Sequence, residues 1–243
     1  MTQNRPAAIA TDRKQHLEQF YGLLAELERK IGALRTLSAC NGRMGWPLRG
    51  VYFFQEQGEQ RSDTGSGQRI VRVGTHALTT SSGTKLWSRL SQHQGTQKTG
   101  GGNHRGSIFR LIVGTALIKR DSHEYPTWGS GSSASREICS VEVPLEQAVS
   151  KVIGAMPFLW LAINDEPGPD SLRGYIERNS IALLSNHDKE PLDPPTAGWL
   201  GHLCNRERVR SSDLWNQNHV EEEYDPAFLE TLEQLIHKME ETS

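Results

Sequence analysis

The chain has 243 residues, 35% of them hydrophobic, with a formal net charge of -2, enough apolar material for one large core or a core with appendages. No apolar run approaches the roughly 18 residues of a membrane span and the polar N-terminus lacks a signal-peptide core, so a cytoplasmic protein without a membrane partner is expected. Cys40, Cys139 and Cys204 lie far apart without metal-ligand spacing, which reads as free thiols in a reducing compartment, and His202 beside Cys204 is too little for zinc.

Residues 1–11 read as disordered. From Asp12, a suitable N-cap, Leu17, Phe20, Tyr21, Leu24, Leu27, Ile31 and Leu34 recur every three or four residues and predict a long amphipathic helix. Its stripe packs on the core or serves as a partner or homodimer face; the pattern alone does not separate these. Residues 41–47 are a turn-rich linker. The apolar run at 50–54 and the alternating run at 69–74, separated by Gly, Ser and Asp, predict a β-hairpin. Leu86 and Leu90 then have helical spacing, which puts Arg89 and His93 one turn apart on one face. A Gly-rich loop spans 95–102. The block 103–107 with Arg105 and Arg110 adds phosphate contacts or is simply a capped helix start, and 107–118 reads as a buried helix.

Residues 121–135 are a Ser/Gly-rich insertion that belongs on the surface. Residues 138–143 and 158–163 read as strands flanking a helix over 145–156, and a helix from about Asp170 to Ser185 carries Glu177. Beyond it lie a Pro/Gly-rich stretch at 192–202, the segment 211–220 and an acidic terminal helix from Pro226. Three regions follow: an N-terminal helical extension (1–47), a core (48–190) with an insertion near 121–157, and a C-terminal extension (191–243).

The charge is unevenly spread. Residues 48–120 carry 11 Lys/Arg against 3 Asp/Glu, whereas 121–243 carry 9 against 22. The basic stretch coincides with the hairpin and helix, as a phosphodiester substrate requires, although an uneven solvated surface is the plainer reading. A strand tyrosine, a helical arginine and histidine, and a glycine that admits a close neighbour are parts of a phosphate-handling site.

Gly50-Val51-Tyr52, Arg72-Val73-Gly74, Arg89 and His93, in this order and spacing, resemble the GIY-YIG nuclease family over roughly residues 48–190. The resemblance implies an α+β fold with a small three-stranded antiparallel sheet flanked by helices. It also implies a metal-dependent endonuclease acting on DNA: Tyr52 orients or deprotonates water, Arg89 binds the scissile phosphate, His93 assists, and Glu177 binds Mg2+ with Asn186 in support. Each residue has an ordinary alternative: a strand aromatic, a helix-surface carboxylate, a solvated histidine. Arg72 departs from the family, which usually has a second tyrosine there; arginine binds phosphate but is no base. Either the role passes to His76 on the same strand face or activity is lost. The sequence therefore leaves three readings: a nuclease whose substrate contacts include Arg72, Gly74, His76, Arg105, Arg110 and Asn186; a DNA-binding module that has lost catalysis; and an interaction protein acting through its N-terminal helix.

Overall fold

The computed structural model describes residues 5–96 and 100–239. Helix α1 (Arg5–Ile31) begins before Asp12, and its stripe is covered by the rest of the chain. Leu17, Phe20, Leu24, Leu27 and Ile31 join the same apolar cluster as the sheet and the C-terminal residues Trp215, Phe228 and Leu232. Arg13, also buried, fixes the other side of the helix. Its Nε donates to the Leu183 carbonyl (3.1 Å) and its Nη2 to the Ser185 carbonyl (2.9 Å), where a helix end leaves carbonyls without intrahelical partners.

The sheet comprises β1 (Arg35–Thr36), β2 (Gly50–Gln60), β3 (Gln68–Gly74) and β4 (Pro157–Ala162), in the order β1-β4-β2-β3 with every pair antiparallel. The expected three strands are present, with a two-residue strand added at the edge. Gly50 sits opposite Ala162. A Cβ there would overlap the Leu161 carbonyl, so the first motif glycine is demanded by strand pairing.

Around the sheet lie α2 (Leu86–Gln94), α3 (Ile108–Asp121), α4 (Arg136–Gly154), α5 (Leu172–Leu184), the short α6 (Glu207–Ser212) and α7 (Phe228–Lys238). The expected strand at 138–143 does not form: these residues belong to α4, whose N-cap Ser135 accepts the Ile138 N–H. The reason lies in two buried acids. Glu142, Leu145, Glu146, Val149 and Ile153 form the inward stripe at helical spacing, while the β-branched Val141 faces solvent at 66% exposure. Hydrophobicity alone hides such a stripe, because two of its members are carboxylates.

The C-terminal segment covers the outer edge of β3. Trp215 N–H donates to the Val71 carbonyl (2.7 Å), and the Asn216 amide bonds both ways to Val73, accepting its N–H (3.1 Å) and donating to its carbonyl (2.8 Å). The indole N–H groups of Trp199 and Trp215 both donate to Glu56 Oε2, each at 3.0 Å. Sheet edges left open invite pairing with other chains; this one is closed by side chains and main chain of the same molecule. No described helix is long and apolar enough to cross a membrane.

Gly50→Ala should destabilise the chain by about 1–3 kcal/mol, the usual cost of overpacking, or more, because the obstacle is backbone. A urea titration followed by circular dichroism checks this; an unchanged midpoint would mean that β2 and β4 separate without cost.

Candidate active site

Tyr52 lies across the β2–β3 ladder from Gly74. A Cβ on residue 74 would overlap the Tyr52 phenol ring and hydroxyl, so the second motif glycine makes room for the first motif's tyrosine. Next to this pair is a cavity of about 310 Å3. Tyr52, Arg72 and Thr75 line it from the hairpin, Arg89 from α2, Ile108 and Ile112 from α3, Glu177 from α5, and residues 216–219 from the C-terminal segment. Tyr52, Arg72, Arg89 and Glu177 are thus brought together in one cavity.

His93 stands directly behind. It is fully buried, with Nε2 2.8 Å from the Tyr52 hydroxyl and Nδ1 2.7 Å from Ser107 Oγ, which also receives the Arg110 N–H as the cap of α3. Burial pushes the imidazole pKa well below its ordinary value, and the cations Arg89, Arg72 and Arg110 push the same way. His93 is therefore neutral.

Arg72, 6% exposed, stacks its guanidinium 4.5 Å from the Phe109 ring centroid and donates through Nη1 to the Trp215 carbonyl. Burial lowers its pKa, against the pull of Tyr52 and Glu177, but an arginine remains a cation at any ordinary pH. Arg89 is half-buried, with Nη1 near Gln92 Oε1 (3.0 Å) and the Gly106 carbonyl (3.3 Å). Neither hydrogen-bond partner is a carboxylate, so the guanidinium is not tied up in an ion pair. Among the described residues, Glu177 is the one carboxylate lining the cavity. Its Oε1 accepts the Thr75 N–H at 3.0 Å. Burial raises its pKa, opposed by His219, Arg72 and Arg89.

Four other sequence candidates lie elsewhere. Arg105 forms a fork with Glu142 (2.6 and 2.9 Å), and Arg110 is buried against Glu146 and the His93 carbonyl (2.8 Å). Although burial alone would raise the Glu146 pKa, His104 and Arg110 hold it below its usual value. Extracting Arg110 would strand that carboxylate at roughly 3–5 kcal/mol. A charged hydrogen bond to phosphate returns about 1.5–3 kcal/mol, so Arg110 stays where it is. Asn186 accepts from Arg13 Nη2 (2.9 Å) and donates to Asp213 Oδ2 (2.9 Å), joining α1 to the C-terminal segment. His76 is buried outside the cavity lining; its pKa falls to about 4 through burial and the nearby Arg173, whose Nη1 donates to the His76 carbonyl.

The sequence reasoning missed residues 216–219. His219 is half-buried, has a left-handed backbone (φ 64°), and engages Glu222 Oε1 through Nδ1 at 2.8 Å. The only signal was the polar run Asn216-Gln217-Asn218-His219 after an apolar Leu-Trp pair, and no spacing rule connects it to the hairpin, whose Val73 lies 143 residues before Asn216.

A family model for the GIY-YIG domain matches residues 11–242, and the chain belongs to that family. Membership gives the coarse assignment of a nuclease with a DNA partner. No curated protein and no solved structure gives a significant match.

The family typically uses a divalent metal. Among the described residues there is no group of three or more His, Cys, Asp or Glu side chains that could hold one. Glu177 nevertheless fits a hard cation such as Mg2+, which keeps several waters and commonly takes one or two protein carboxylates.

Glu177 also gives a pH-dependent prediction. Its folded pKa lies above the unfolded one, so the folded state holds the proton more tightly and stability falls as pH rises from the ordinary carboxylate range through the raised value. In chelator, Glu177→Gln should melt higher than the parent at pH 7, with the gap closing as pH falls towards 4. An equal or lower melting temperature at pH 7 would show that the cavity's cations already compensate the carboxylate.

Proposed function

We propose that the chain is a metal-dependent endonuclease that hydrolyses DNA phosphodiester bonds in the cavity beside Tyr52 and Gly74. The observation that carries this reading is the 2.8 Å contact between the Tyr52 hydroxyl and a neutral His93, in a cavity that also holds Arg72, Arg89 and Glu177. Phosphodiester hydrolysis needs a base for water, positive charge for the developing negative charge, and help for the leaving oxygen.

In this reading Tyr52 orients the attacking water and takes its proton as the phenolate, and the neutral His93 donates its Nε2–H to the phenolic oxygen. That requires the tautomer with Nδ1 accepting from the Ser107 hydroxyl, which the 2.7 Å contact accommodates. Arg72 and Arg89 line the same cavity and supply positive charge beside the phenolic oxygen. Arg89 binds the scissile phosphate; its planar fork is not reproduced by lysine. Arg72, where the family usually has tyrosine, adds fixed positive charge. Glu177 would hold Mg2+ with water completing the shell, and the bound ion supplies Lewis-acid stabilisation of phosphate charge.

One observation favours the alternative of a DNA-binding module without catalysis. Tyr52 is 0% exposed, so catalysis requires that substrate binding admit a water to the cavity floor.

Purified protein should nick or linearise supercoiled plasmid with Mg2+ and not in chelator. Tyr52→Phe and Glu177→Gln should each lower the rate by at least about 10²-fold, and Arg89→Lys should also impair cleavage, while gel-shift binding persists. Binding of varied plasmid and phage DNA without cleavage would establish the binding module instead.

A further inference from the structure

The cavity contains a base side but, from the expected residues, no proton donor for the leaving oxygen. His93 does not qualify, since both its nitrogens are engaged and it is buried behind Tyr52. Thr75 Oγ1 already donates to the Gly50 carbonyl (2.8 Å), Asn216 is committed to Val73, and an arginine does not release its proton. Of the remaining lining residues among those described, His219 is the one imidazole, a side chain that can both hold and release a proton.

We infer that His219 is the general acid that protonates the leaving oxygen, oriented by Glu222; this rests on the nuclease reading above. Three features support it. Glu222 Oε1 meets His219 Nδ1 at 2.8 Å, which assigns the proton on that nitrogen and leaves Nε2 for the substrate. Glu222 is itself held by Arg178 Nε, and its backbone N–H returns to the His219 carbonyl (3.4 Å), so ring and carboxylate form one turn. The edge contacts of Trp215 and Asn216 anchor that turn to β3, immediately before it enters the cavity. A buried carboxylate or a free surface histidine would lack this orientation; a base held by a third group is the usual arrangement in acid–base sites.

The charges around His219 come from each packed element: Glu222 from its own turn, Glu177 and Arg178 from α5, Lys189 just beyond α5 with Nζ on the Glu222 carbonyl (3.3 Å), Arg72 from β3 and Arg89 from α2. Glu177 influences His219 only through space, since no ion pair or hydrogen bond joins the two.

In the step itself the water oxygen forms a bond to phosphorus and gives its proton to the Tyr52 phenolate, which becomes the phenol and returns that proton to solvent after product leaves. The bond from phosphorus to the leaving oxygen breaks, its electron pair stays on that oxygen, and the oxygen takes the proton from His219 Nε2. His219 is left neutral with Nδ1–H on Glu222 and regains a proton from solvent.

The test is the pH dependence of Mg2+-supported plasmid nicking by the wild type, His219→Ala, His219→Gln and Glu222→Gln, with DNA binding and melting temperature measured on each. The wild-type rate should fall at alkaline pH, where a protonated donor for the leaving oxygen is lost. His219→Ala should bind DNA as the parent does, cut about 10²–10⁴-fold more slowly and lose that limb. Glu222→Gln, which removes the anion beside the ring, should keep the limb but move it to lower pH. Should His219→Ala fold poorly, His219→Gln and the Glu222→Gln shift decide the matter. Cleavage by the His219 variants at the wild-type rate, or with an unchanged alkaline limb, removes this role and leaves the nuclease standing. A wild type that binds but never cuts removes both.

Discussion

The absence of a side chain at Gly74 is the constraint on which the site depends. β2 and β3 pair so that residue 74 faces Tyr52, and the phenol occupies the space a Cβ would need. The tyrosine can then lie flat over the neighbouring strand and place its hydroxyl on His93, whose opposite nitrogen reaches the cap of α3. One strand, two helices and a cap are therefore joined through a missing methyl. The other motif glycine, Gly50, acts on the far side of the same strand by letting β4 approach.

Charge in this molecule divides into two populations. Arg13, Arg69, Arg105, Arg110 and Arg173 are bound to carboxylates or carbonyls inside the fold, so they tie elements together and offer nothing to a ligand. Buried ion pairs contribute little net stability, but removing one partner is costly, which keeps these arginines in place. Arg89 belongs to the second population, with only neutral partners at the cavity. The basic stretch legible in the composition is consequently a poorer guide to phosphate binding than its total suggests, because several of its cations are answered by acids from the supposedly separate acidic half.

That exchange also explains the C-terminal segment. It closes the open edge of β3, and the same run of backbone that supplies the closing hydrogen bonds carries residues 216–219 into the cavity. Sheet closure and site completion are achieved by one stretch of chain, so a change at Trp215 or Asn216 would reach the site without touching it.

By itself the sequence determined the hairpin, the helix bearing Arg89 and His93, the amphipathic α1 and the helix bearing Glu177, because each is written in a local period of two or of three to four residues. The two motif glycines were legible through the family resemblance, and a residue without a side chain at the end of a strand marks a close approach. Only the tertiary structure decided what depends on distant partners. Glu142 and Glu146 look like surface acids until Arg105, His104 and Arg110 are packed against them, and their helix then reads falsely as a strand. Asn186 looks like a ligand until Arg13 and Asp213 occupy it. His219 has no pattern at all, since its place in the cavity follows from the pairing of Trp215 and Asn216 with a strand far away in sequence, and no local period records a long-range contact.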